Sequence, residues 1–153
     1  MAELAAFCTE PWAISAETAA GSGSWEAAAC QCLQDLEILE PDWLTLLKQW
    51  EQAPELPGFA PQDPEKLERI AVYFAFRYLL KAVNDGDLLG RAQFCALGVL
   101  VTDRLSRFVG LPEALRLFSR EIEHDEDNLA TLREQFWQTE GLSLSALLAA
   151  FCG

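Results

Sequence analysis

The chain has 153 residues, with 24 acidic side chains against 11 basic ones and a formal charge of −13. That length fits one domain, and a composition that is 51% hydrophobic, with five tryptophans, excludes a chain unfolded throughout. The strongly acidic balance excludes nucleic acid as a partner, because phosphate binding needs a surplus of Lys and Arg.

Residues 1–23 hold Pro11, Gly21 and Gly23 among many Ala and Ser and show no sustained period. They read as a loosely ordered lead-in to a helical domain over 24–153. The first basic residue is Lys48, so no positively charged leader is read here and the expected location is cytoplasmic. Ser24 can cap a first helix over about 25–39. Pro41 suits the first position of a second, through Trp43, Leu44, Leu47 and Trp50. Pro54, Pro57, Gly58 and Pro61 then make a turn-rich connector.

Asp63-Pro64-Glu65 is another start signal. The helix over 63–83 that follows carries Leu67, Ile70, Ala71, Phe74 and Tyr78 on one stripe and Val72, Phe76, Leu79 and Val83 on a second. Apolar on two sides, it is expected to be central. Gly86 can end it in a left-handed conformation, and Asp87 can cap the next helix, over 88–109. That helix is apolar nearly all round between residues 92 and 101, a run too short for the ~20 residues that span a bilayer. Gly110-Leu111-Pro112 opens a further helix to about residue 123. A restart at Asp125 or nearby carries the chain through Phe136 and Trp137, Gly141 stops it, and Ser143 begins a last short helix. No segment alternates with period two. The expected fold is therefore an all-α, single-domain bundle of six or seven helices, with 63–83 and 88–109 as its central hairpin.

The residues that could bear chemistry are few. Glu121-Ile122-Glu123-His124 contains Glu-x-x-His, which on an α-helix aligns a carboxylate and an imidazole as in di-iron bundles. Such a centre needs two copies, and the chain has one histidine. The plainer reading is His124 bonded to a carboxylate or to Asn128. Cys30 and Cys32 could offer two thiolates, but Cys8, Cys95 and Cys152 supply no second pair, so no metal site is expected and the thiols are read as free. The central hairpin sets Arg77, Lys81, Asp85, Asp87 and Arg91 among Leu, Phe and Tyr. Charges beside a core need partners. They form either an ion-pair network with Glu121, Glu123 or Asp87, or the lining of a ligand or protein-binding cleft.

Three stretches carry a family resemblance: LQDLEILEPDWLTLL at 33–47, YFAFRYLLKAVNDGDLLGRAQFC at 73–95 and SREIEHDEDNL at 119–129. In this order, over about residues 30–137, the chain resembles the C-terminal helical region of the flagellin lysine-N-methylase family. The resemblance implies S-adenosylmethionine-dependent methyl transfer to lysine side chains of flagellin in the cytoplasm. It also implies an iron–sulfur or other metal centre in the complete family protein, held by an N-terminal cysteine-rich segment. This chain lacks that segment, so no cofactor is assigned to it alone and a separate cysteine-rich subunit becomes a candidate partner beside flagellin or another lysine-bearing protein. No catalytic residue is assigned. The substrate-binding or polar-network candidates, taken from the matching stretches, are Arg77, Lys81, Asp87, Arg91, Glu121, His124 and Asn128. The competing reading is a non-enzymatic acidic interaction module that uses Trp12, Trp25, Trp43 and Trp50 as partner surface.

Overall fold

The computed structural model describes residues 24–53 and 61–152, and in them every regular element is helical. The elements are α1 (Trp25–Asp35), α2 (Pro41–Gln52), α3 (Pro64–Tyr78), α4 (Leu88–Val109), α5 (Leu111–Phe118), α6 (Glu126–Gln138) and α7 (Leu144–Cys152). A 3₁₀ turn (Leu79–Lys81) and one α-turn (Ala82–Asp85) follow α3, a π-helical turn (Ser119–Glu123) follows α5, and a second 3₁₀ turn (Glu140–Leu142) precedes α7. This is the expected all-α bundle. No described helix is long and apolar enough to cross a membrane.

Helix starts follow local chemistry. The side chains of Ser24, Asp63, Asp87 and Asp125 accept hydrogen bonds from the backbone N–H groups of Glu26, Lys66, Gly90 and Asn128 at 2.8–3.1 Å, satisfying donors that the first turn leaves without helical partners. Gly86 takes φ 72° after the Ala82–Asp85 turn, and its N–H closes on the Ala82 carbonyl at 2.7 Å. A left-handed C-cap of this kind is cheap only for glycine.

Helix α4 is the axis of the molecule, with α2, α3, α5, α6 and α7 packed around it. Between Phe94 and Ser106 only Cys95 is not buried, which is why its sequence shows no polar face. Phe74 and Tyr78 of α3, Phe94 of α4 and Phe118 of α5 form an aromatic core with ring centroids 4.7–6.1 Å apart. Gly98 lets α3 approach: a Cβ there would lie 2.9 Å from the Phe74 ring. Even two charged residues of α4, Asp103 and Arg104, are buried. Arg104 pairs with the buried Glu26 of α1 and lies 5.7 Å from the Trp25 ring centroid.

Three expectations change in the folded chain. The first helix ends at Asp35, not near residue 39, because the backbone of 36–40 is held extended by side chains from the far end of the sequence. Helix α3 is not central. Its Leu67–Ile70–Phe74–Tyr78 stripe is buried against α4, whereas Val72, Phe76 and Val83 of the second stripe, with Leu80 beside them, are exposed. An amphipathic pattern says that a face is apolar, not that this chain supplies its cover. Finally, Trp43 and Trp50 are core residues and Trp25 is half-buried against Trp50, so these tryptophans do not form a partner surface. Trp12, like the lead-in, lies outside the described residues.

Candidate functional site

The stretches 73–95 and 119–129 meet in space, and the π-helical turn governs how. The His124 N–H reaches the Ser119 carbonyl at 3.0 Å, five residues back, so the turn is wider than an α-turn and residues three apart no longer align. Glu121 and His124 consequently part: Glu121 is fully buried, while His124 is exposed and makes no side-chain hydrogen bond among the described residues. A carboxylate–imidazole pair does not form, and His124 is not bonded to Asn128 or to a carboxylate.

The inner half of the meeting place is a clamp. The Glu121 carboxylate accepts the backbone N–H groups of Leu39 at 2.9 Å and Glu40 at 2.6 Å, just before α2, where the helix dipole favours negative charge. Asn128 accepts from the Glu37 N–H at 2.9 Å and donates to the carbonyls of Glu37 at 2.8 Å and Glu121 at 2.9 Å. Both side chains therefore fasten residues 37–40 to the π turn. Every bond they make is to backbone, which gives them a structural task.

The outer half is a polar face over the aromatic core. Tyr78 and Tyr73 donate their phenol protons to one oxygen of Glu123, at 2.7 and 3.1 Å, and Arg77 Nε lies 3.9 Å from the same oxygen. Arg77 stands 5.9 and 5.8 Å from the centroids of Tyr73 and Tyr78, and the Lys81 ammonium is 5.6 Å from that of Tyr78, within cation–π range. Burial, then the hydrogen bond to Glu123 and its charge, raises the Tyr78 phenol well above its ordinary range, and burial with the Glu123 charge raises Tyr73 too. Beside them, Arg91 Nε donates to Asp85 at 3.1 Å and Arg133 pairs with Asp87. The bond from Arg91 and the backbone N–H of Asp87 hold the Asp85 carboxyl down at about 2, and Arg133 lowers Asp87.

Tyr78, Lys81, Arg91, Phe94, Leu129 and Arg133 line a cavity of about 110 Å³ at this face. Three cations make it hostile to a substrate ammonium. Arg91 and Arg133 are already engaged by Asp85 and Asp87. Of the seven residues picked from the sequence, Arg77, Lys81, Asp87 and Arg91 thus share the outer face, Glu121 and Asn128 form the clamp, and His124 joins neither. Of the carboxylates named as ion-pair partners, Glu123 pairs with Arg77 and Asp87 with Arg133, Arg91 pairs with Asp85, and Glu121 takes no cation. Arg133 was missed. Its signal was available: it is the only base among the seven acids of residues 121–153. The Glu26–Arg104 pair was missed as well, since nothing local links residues 78 apart.

Three of the described cysteines, Cys30, Cys32 and Cys95, are free thiols. Cys30 and Cys95 donate their thiol protons to the carbonyls of Leu47 and Phe74, each at 3.3 Å. Burial pushes Cys30, Cys32 and Cys95 up to about 11, whereas cluster ligation needs thiolates. Cys152 is disulfide-bonded, correcting the expectation of free thiols throughout. No group of three or more His, Cys, Asp or Glu among the described residues is placed to hold a metal. A second cavity, of about 210 Å³ beside Cys30 and Trp50, and a third, of about 70 Å³ beside Asp103, are smaller, like the first, than the ~300–1,000 Å³ pockets that hold cofactors. Comparison with family models, curated proteins and solved structures gives no match to this chain.

Proposed function

We propose that this chain is the helical domain of a flagellin lysine-N-methylase-like protein of the cytoplasm, contributing substrate docking or part of the active cleft and not catalysing alone. The observation that carries the reading is the convergence on Glu123 of Tyr73, Arg77 and Tyr78, 45–50 residues away in sequence. The two stretches that resemble the family are thereby joined in one face. A lysine must shed a proton before it attacks a methyl donor, which at neutral pH costs roughly 4.6 kcal/mol for an ordinary pKa near 10.4. Glu123 is committed to two phenols, and the adjoining cavity is cationic. On this reading the base and the S-adenosylmethionine pocket belong to a companion, as does any metal centre, and the acidic surface of this chain draws the lysine-bearing substrate in.

Methylation assays test this directly. Purified chain with S-adenosylmethionine and flagellin should give no methyl-lysine, and pull-down from cells should recover flagellin or a cysteine-rich protein. Turnover by the chain alone would refute the docking role; recovery of unrelated partners only would refute the family assignment. The exposed stripe of α3 favours a second reading, a non-enzymatic acidic interaction module, for which unrelated partners are the expected result.

A further inference from the structure

The cavity beside the Tyr78–Glu123 contact has a lining that the fold alone does not account for. It encloses about 110 Å³, room for about three or four waters at ~30 Å³ each or for one small organic molecule. Its floor is apolar: Phe94 and the Tyr78 ring are buried, and Leu129 of α6 is half-buried. Its charged lining is of one sign. Lys81 comes from the 3₁₀ turn after α3, Arg91 from α4 and Arg133 from α6, and among the described residues no carboxylate belongs to the lining.

The nearby carboxylates do not cancel that charge. Asp85 engages Arg91 and Asp87 engages Arg133, which leaves Lys81 over. It has no hydrogen bond or ion pair with a described residue, and its ammonium stands 5.6 Å from the Tyr78 centroid. Glu123, the next acid, is covered by the two phenols and faces Arg77. The arginines also have donors to offer. A guanidinium carries five N–H groups; Arg133 donates one to Asp87, and Arg91 donates three, two to Asp85 and one to the Tyr78 carbonyl. Forked donors of this kind match the two oxygens of a carboxylate. The apolar floor then separates one anion from another: a hydrocarbon tail gains by covering Phe94 and Leu129, whereas inorganic phosphate would lose water there and meet no partner. Pockets that combine apolar walls with a few converging polar groups are the usual form of small-molecule sites.

We propose that the cavity between Lys81, Arg91 and Arg133 binds a small carboxylic acid anion, its carboxylate on these three cations and a short hydrocarbon tail on Phe94 and Leu129. The inference stands on this cavity alone and holds whether or not the chain takes part in methyl transfer. Butyrate and butylammonium, which share a tail and differ in the sign of the head, test it, with inorganic phosphate as a third probe. Binding is followed by NMR titration of the isotope-labelled full chain at constant ionic strength, so that screening does not differ between probes. Butyrate should move the backbone amides of Gly90, Arg91 and Leu129 and saturate in the millimolar range, and butylammonium should leave them in place. Lys81→Met removes a side chain that has no ionic partner to strand. It should weaken butyrate about tenfold with thermal unfolding nearly unchanged, while Lys48→Met on α2 should leave the affinity as it is. Equal responses to the two heads, phosphate binding as tightly as butyrate, or no response to butyrate would overturn the proposal. So would a butyrate response that survives Lys81→Met or that maps away from these residues.

Discussion

Glu121 and Glu123 stand two residues apart on one turn and have opposite employment. Glu121 is turned inward and spends both oxygens on backbone N–H groups of residues 39 and 40. Glu123 is turned toward α3 and gathers two phenols and a guanidinium on one oxygen. The inner clamp is local glue for a segment distant in sequence. The outer face instead ties α3 to the same turn over the aromatic core. Charged residues of the same type and near-identical sequence position thus serve stability in one case and surface chemistry in the other, and the π-helical geometry of Ser119–Glu123 is what separates them.

The strongest way to break this comparison is to remove the inner carboxylate. Glu121→Ala should cost about 3 kcal/mol in urea unfolding, because it removes a buried carboxylate that makes charge-assisted bonds to two part-buried N–H groups. Asn128→Ala should cost about 2 kcal/mol. The double variant should fall short of the sum, since both side chains fasten one segment. Additive losses would mean that the clamp is two independent contacts.

The outer face is read best through titration. Both tyrosines of the chain sit on Glu123, and folding raises the pKa of each. The folded state therefore keeps protons that the unfolded state releases above about pH 10, so stability is whole below that pH and declines as pH rises past it. Glu123→Gln should lower the phenolate absorbance midpoint and soften the alkaline decline. An unmoved midpoint would leave burial as the sole cause.

The smallest expected effect lies at the rim. Asp85 is held at about 2 against an ordinary 3.8. A depressed carboxyl contributes stability that is present above the unfolded value and lost as pH falls from about 4 to 2. Asp85→Asn should flatten that part of the acid-unfolding curve while leaving neutral-pH stability nearly unchanged, as expected of an exposed pair.

The sequence by itself determined where most helices start, because caps are local, although the first helix stops at Asp35 for a reason that is not local. Ser24, Pro41, Asp63, Asp87, Asp125 and Gly86 act within three or four residues of where they stand, and the 88–109 helix matches its expected bounds. It also indicated that α4 is buried, since that helix has no polar face between residues 92 and 101, but it gave the 63–83 helix the same standing. Tertiary structure alone decided which polar residues meet. Glu121 with Leu39 and Glu40, Asn128 with Glu37, Arg104 with Glu26 and Tyr78 with Glu123 are joined across 45–91 residues, a range over which no spacing rule operates. It decided as well that Val72, Phe76 and Val83 of the second stripe are exposed while Leu67, Ile70, Phe74 and Tyr78 of the first are buried. Hydrophobic periodicity marks which faces are apolar, and only the packed arrangement of the helices decides which of them is buried.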